Sequence, residues 1–183
     1  MLQHTSSALK RMRAKYFAAS EPAESVIQQI LMDIQEYDRI LEIGTGNGSM
    51  FKQIIGQLEK GSLKSIETSK RKIRKTQRAN RSVIKAGLGN IQQGRPESLP
   101  FRDRSFHKVF SLHTAETVSD YRTACKEVYR VLQIDGCFYM VLKPSRMSEK
   151  DVIQVLYDQH FRDISVVSRD SFHFITAIKW NIS

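Results

Sequence analysis

A chain of 183 residues, 40% of them hydrophobic, is long enough to bury a real core and is expected to form one domain. No apolar run approaches the ~20 residues that span a bilayer, and residues 1–15 lack the apolar stretch of a secretory signal, so a soluble, cytoplasmic protein is expected. A formal net charge of +10 favours anionic partners, and without a His or Cys cluster at metal-ligand spacing no metal centre is expected.

In chain order, residues 6–18 are predicted helical, with Lys10, Arg11, Arg13 and Lys15 beside Tyr16 and Phe17. Ser20-Glu21-Pro22 has the cap and early proline of a helix start, and leads into Val26, Ile27, Ile30, Leu31 and Ile34. Ile40, Leu41 and Ile43 make residues 39–43 a strand buried on both faces. Gly44-Thr45-Gly46-Asn47-Gly48 follows, and then Met50, Phe51, Ile54, Ile55 and Leu58 at helical spacing. Further strands are predicted at 63–67, 90–93, 106–112 and 137–142, with a basic helix from about Ser69 and another helix over 119–132. A helix at 148–159 and two paired strands, 162–168 and 171–180, close the chain. Cys125 and Cys137 fall inside a predicted helix and strand, where they are expected as reduced core residues. The alternation implies an α/β fold with helices on both faces of a mostly parallel sheet. Residues 1–37 would supply N-terminal helices and 38–183 the core.

The glycine turn is the first chemical signal. Strand, glycines and helix form a nucleotide cradle, in which bare backbone approaches the ligand and helix amides face it. A dinucleotide fingerprint would need a third glycine at position 49, which is Ser49, and no Gly-Lys-Ser/Thr follows for a phosphate loop. Glu67 ends the second strand nineteen residues after Gly48, the distance at which an acid can accept both hydroxyls of a ribose.

The pattern G-x-G-x-G with Glu42 two residues ahead resembles the first motif of class I S-adenosylmethionine-dependent methyltransferases. Asn90-Ile91-Gln92-Gln93-Gly94-Arg95-Pro96-Glu97-Ser98-Leu99-Pro100-Phe101, followed by Asp103-Arg104-Ser105-Phe106, resembles the family's G-D-A-E-x-L-P-F…S-F-D block. Glu127-Val128-Tyr129-Arg130-Val131-Leu132, then Ile134-Asp135-Gly136, resembles its E-x-x-R-V-L-x-x-G-G segment, a helix and glycine turn before the fifth strand. The likeness is to the type 11, ubiquinone–menaquinone-like branch. It implies a Rossmann-like, doubly wound, seven-stranded sheet with an antiparallel C-terminal strand. The implied cofactor is S-adenosyl-L-methionine, held by Glu42, Gly44, Thr45, Gly46, Gly48, Glu67, Thr68, Pro96, Glu97 and Ser111.

Three positions depart from the family. Arg95 stands where an aspartate usually reaches the adenine amino group, Pro96 has no N–H to donate, and His107 replaces the aspartate after Ser105-Phe106. Adenine must be met by other groups, such as Glu97 or a neighbouring amide. The acceptor is expected near Ser111-Leu112-His113 and Lys143-Pro144, with His113 as candidate base ahead of Glu116. Tyr16 and Phe17 are candidates to cap that pocket. No N-P-P-[FY] motif of amino-group methylation is present. A small-molecule acceptor is expected. The alternatives are RNA or another polyanion bound through the basic stretch 70–95, and a relative that binds without methyl transfer. From Thr68 to Pro96 the chain has nine cations and no acid.

Overall fold

A computed structural model describes residues 22–112, 118–143, 147–168 and 172–180. Contacts divide the chain into residues 1–34 and residues 35–183. The first unit holds helix α1 (Pro22–Asp33), which begins at the predicted proline. The helix expected at 6–18, with Tyr16 and Phe17, lies outside the described residues, as do Ser20 and Glu21. Among the described residues no helix is long and apolar enough to cross a membrane.

The second unit is built on one seven-stranded sheet. Its strands are β1 (Arg39–Ile43), β2 (Ser62–Glu67), β3 (Gly89–Gln93), β4 (Phe106–Ser111), β5 (Leu132–Leu142), β6 (Phe161–Ser168) and β7 (His173–Lys179). They lie in the order β3-β2-β1-β4-β5-β7-β6. All pairings are parallel except those of β7, which runs antiparallel to both β5 and β6. This is the mostly parallel sheet that the alternation implied, in the doubly wound, seven-stranded form with an antiparallel strand that the family resemblance implied. The order reverses between β1 and β4, so a crevice opens beyond the carboxyl ends of the strands at that point, where ligands bind in such sheets.

The helices follow from apolar spacing and caps. In α2 (Ser49–Ile55), Met50, Phe51, Ile54 and Ile55 are buried. Helix α3 (Lys70–Ala79) is capped by Ser69, whose Oγ accepts from the Lys72 N–H, and it buries only Ile73 and Thr76. A short helix, α4 (Arg81–Lys85), follows; its sequence offers too few periodic positions to have been predicted. Asp120 caps α5 (Tyr121–Val131) and Ser148 caps α6 (Glu149–Asp158), each side chain accepting from an amide three residues on. The main core fills the β4–β5–β7 side, where Phe161 lies 5.2 Å from Tyr129 and 5.9 Å from Phe138 between ring centroids. Cys125 and Cys137 are buried and not joined in a disulfide, and burial pushes Cys125 up to about 12, which leaves it protonated.

One boundary differs from the sequence reading. The glycine turn expected before the fifth strand lies inside β5, which starts at Leu132 directly after α5. Phe106 pairs with Leu132 but Lys108 pairs with Cys137, so extra residues loop out of β5, with Asp135 at φ 62°. A Cβ on Gly136 would lie 2.9 Å from the Gln133 carbonyl and 3.0 Å from that of His107, so the bulge admits only glycine there.

Candidate active site at the carboxyl ends of β1 and β2

Four buried residues bring β1 to the turn, and the chain then reverses through left-handed backbone at Gly44 (φ 82°), Gly46 (φ 53°) and Gly48 (φ 84°). The Gly44 N–H donates to the Ile66 carbonyl at 2.8 Å, which fastens the turn to β2. Gly48 caps α2, and its N–H donates to the Thr45 carbonyl at 2.8 Å. A Cβ at position 48 would lie 2.8 Å from Thr76 Cγ2 of α3. Both conformation and space therefore demand glycine at this position.

Two glutamates sit against this turn. Glu67 is only 5% exposed, yet its carboxylate is held by several donors. Oε1 accepts from the Ser69 N–H at 3.0 Å and the Thr68 hydroxyl at 3.3 Å, and Oε2 accepts from the Thr45 hydroxyl at 3.4 Å. Lys72 Nζ stands 3.9 Å from Oε2. Glu42 lies in register with Ser65 on β2, is 2% exposed, and accepts a short hydrogen bond from the Ser65 hydroxyl. Burial pushes its pKa up to about 7; the Ser65 bond opposes that shift and the nearby Glu67 charge adds to it. A narrow cleft is lined by Ile43, Gly44, Ile66, Glu67, Thr68, Gly94 and Pro96, so residues from β1, β2 and the β3–β4 loop meet there.

The departures in the β3–β4 loop now have a physical account. Arg95-Pro96-Glu97-Ser98 is a turn closed by the Ser98 N–H to the Arg95 carbonyl at 3.2 Å, and Pro96 occupies its second position, where a fixed φ helps. Pro96 is buried against the cleft. Arg95 does not enter the cleft lining. Its guanidinium meets Glu97 Oε2 at 3.5 Å and donates to the Ser119 hydroxyl at 3.3 Å. Glu97 Oε1 accepts from the Ser119 N–H at 2.9 Å, from its hydroxyl at 2.8 Å and from the Asp120 N–H at 3.5 Å. Burial works to raise the Glu97 pKa, but these bonds outweigh it and hold the carboxyl below its usual range. This network ties the loop to the start of α5.

His107 requires a correction. It belongs to the amino end of β4, whereas the glycine turn follows the carboxyl end of the parallel β1. Its Nδ1 accepts from the Arg39 N–H at 2.8 Å, and burial, with Arg39 adding to it, lowers its pKa. A group at that end of the sheet has no bearing on adenine. Ser111 is buried at the last position of β4, and Lys143 follows β5. His113, Glu116 and Pro144 lie outside the described residues.

Sequence reasoning missed the supports. Ser65 and Ser69 orient the two glutamates, and Thr76 packs on the turn; short polar residues on a buried strand or at a cap were the available signal. It also missed why the second and third motifs occur together. Arg130 donates to the carbonyls of Phe101 (2.7 Å) and Leu99 (3.0 Å) and pairs with Asp103 and Glu127 at 2.8 Å, while Glu127 accepts the Leu99 N–H at 2.8 Å. One guanidinium on α5 thus shapes the loop that walls the cleft.

Residues 41–140 match the family described as "Methyltransferase domain". YrhH of Bacillus subtilis, a protein named as a methyltransferase, is 51% identical over 169 residues, 90% of this chain and 93% of that protein. The ubiquinone/menaquinone biosynthesis C-methyltransferase UbiE of a Marinomonas species is 29% identical over 66% of this chain, which spans about half of that longer protein (48%). A crystal structure of a SAM-dependent methyltransferase from Aquifex aeolicus superposes with a TM-score of 0.70 at 18% identity, covering 93% of this chain and 98% of that one, and so shares the fold. The chain belongs to the methyltransferase-domain family and is a class I S-adenosylmethionine-dependent methyltransferase.

Proposed function

We propose that the enzyme methylates a small-molecule acceptor, with S-adenosylmethionine seated in the cleft between the glycine turn and Glu67. The observation that carries this reading is the Glu67 carboxylate, buried and oriented by Ser69 and Thr45 beside glycine backbone. An anionic acceptor fixed before the ligand arrives suits a ribose diol, and two of its existing bonds, at 3.3 and 3.4 Å, are long enough to yield to ligand hydroxyls. Gly44, Gly46 and Gly48 give backbone access, Glu42 and Thr45 stand behind the turn, Thr68 and Pro96 wall the adenine side, and Glu97 serves it by anchoring the loop that carries Pro96. Ser111, at the end of β4, is proposed to meet the cofactor where the acceptor approaches, with His113 proposed as the base there.

The cofactor supplies a methyl group already activated on a sulfonium, so the chain's task is to hold the acceptor in line and exclude water. Where the acceptor must lose a proton, a base at the end of β4 removes it. Support for a small acceptor comes from the basic helix. α3 packs on β2 and β3, whereas an acceptor beside the methyl group would lie over β4 and β5. A small acceptor need never meet those cations. The test is transfer of labelled methyl from S-adenosylmethionine into fractionated cell extract. Label in the low-molecular-mass organic fraction is expected, and label confined to RNA or protein would contradict the proposal.

A further inference from the structure

Six of the ten residues of α3 are cationic. Arg71, Arg74, Lys75 and Arg78 stand at i, i+3, i+4 and i+7, forming one stripe, and all four are exposed. At 1.5 Å per residue the stripe runs about 10 Å along the helix. Like charges at these spacings repel across the helix surface, and the first turn carries cations and no acid, against the helix dipole. Among the described residues none of the four has a carboxylate partner; Lys72 alone on the helix reaches one, Glu67. The exposed Arg81 and Lys85 of α4 add to the same acid-free stretch. Repulsion within the stripe opposes helix stability, and among the described residues no carboxylate meets the stripe.

We propose that this stripe docks the phosphate backbone of a double-stranded nucleic acid without reading its bases. The class of partner follows from what the face lacks. Ile73 and Thr76 point inward and are buried, and the exposed large hydrophobic residues, Met32, Tyr37, Ile153, Tyr157 and Trp180, all lie outside residues 68–96. A membrane-surface helix needs an apolar face to insert, and a protein interface needs apolar or aromatic anchors. Single strands are held by aromatic stacking, which this face also lacks. Charge alone suffices for a duplex backbone, through release of condensed counterions. This docking is separate from the small-acceptor reading and needs no methyl donor.

The test is fluorescence anisotropy of RNA and DNA duplexes of about 20 base pairs and unrelated sequence, titrated with the whole chain between about 50 and 300 mM salt. The wild type should bind both, with affinity falling steeply as salt rises. Combining Arg71→Gln, Arg74→Gln, Lys75→Gln and Arg78→Gln should weaken binding at least about tenfold at low salt and flatten the logarithmic salt slope by about 3–4. Arg71→Lys, Arg74→Lys and Arg78→Lys together keep the charge and should keep the slope, which separates lost contacts from lost folding. No wild-type binding at low salt, an unchanged slope in the glutamine variant, or tighter binding to phosphatidylserine vesicles than to either duplex would overturn the proposal.

Discussion

The two faces of α3 both carry cations but serve different ends. On the inner face, Thr76 packs against the glycine turn and Lys72 reaches within 3.9 Å of Glu67, so this side of the helix supports the turn and the acid that flank the cleft. On the outer face, one or two residues from Lys72 or Thr76 in each case, Arg71, Arg74, Lys75 and Arg78 face solvent. A run of charge in a sequence is therefore not one feature. Helical phase divides it, and burial of a neighbouring acid decides which cations serve the site.

The largest expected effect lies on the inner face. Gly48→Val forces a β-branched residue into left-handed backbone and drives its Cβ against Thr76, and should abolish S-adenosylmethionine binding by calorimetry. Gly48→Ala should weaken it less. If Gly48→Val binds normally, α3 does not close on the turn as described.

Next comes Glu42, where the effect is on stability and its sign is set by burial. The pKa is about 7 in the folded chain against 4.5 for a free side chain, so the folded state holds the proton more tightly. The contribution is fully present below pH 4.5 and is lost as pH rises through about 7. Denaturant unfolding should show about 3 kcal/mol less stability from this group at about pH 8 than in acid. In Glu42→Gln that pH dependence should vanish, and its persistence would place the titration elsewhere.

Smaller effects separate the faces further. Lys72 is half-exposed, so Lys72→Gln should change cofactor affinity by less than about fivefold, the range of a solvent-screened pair. Neutralising Arg71, Arg74, Lys75 and Arg78 should leave cofactor affinity unchanged in the same titration. A fall there as large as that from Lys72→Gln would erase the distinction between the faces. The smallest change is expected for Pro96→Ala. It frees the second position of a turn, so thermal unfolding should report a loss of about 0.4–1 kcal/mol, with cofactor affinity held or slightly improved.

Most of the fold was legible because most elements, though not α4, announced themselves by period and punctuation. Ile40, Leu41 and Ile43 spelled a doubly buried strand, Ser69 and Asp120 cap helices as their types suggest, and the glycines fall where backbone turns left-handed. Strand order and the bulge in β5 were not legible from local pattern, because they depend on pairings between residues far apart, such as Phe106 with Leu132. The cradle was visible as Gly44, Gly46, Gly48 and Glu67. Its tuning was not. The raised pKa of Glu42 comes from packing that no spacing rule encodes, and Arg95 and Glu97 face Ser119 rather than the cleft because of a hydrogen-bond network formed across the loop.

Calorimetric titration of the wild type and of Glu67→Ala with S-adenosylmethionine and with its demethylated product tests the central claim most directly. Hydrogen bonds to a charged acceptor contribute about 1.5–3 kcal/mol each, so the wild type should bind both ligands and the variant should lose at least about tenfold in affinity for both. Equal affinity in wild type and variant would show that the ribose is held elsewhere and would contradict the assignment of this cleft.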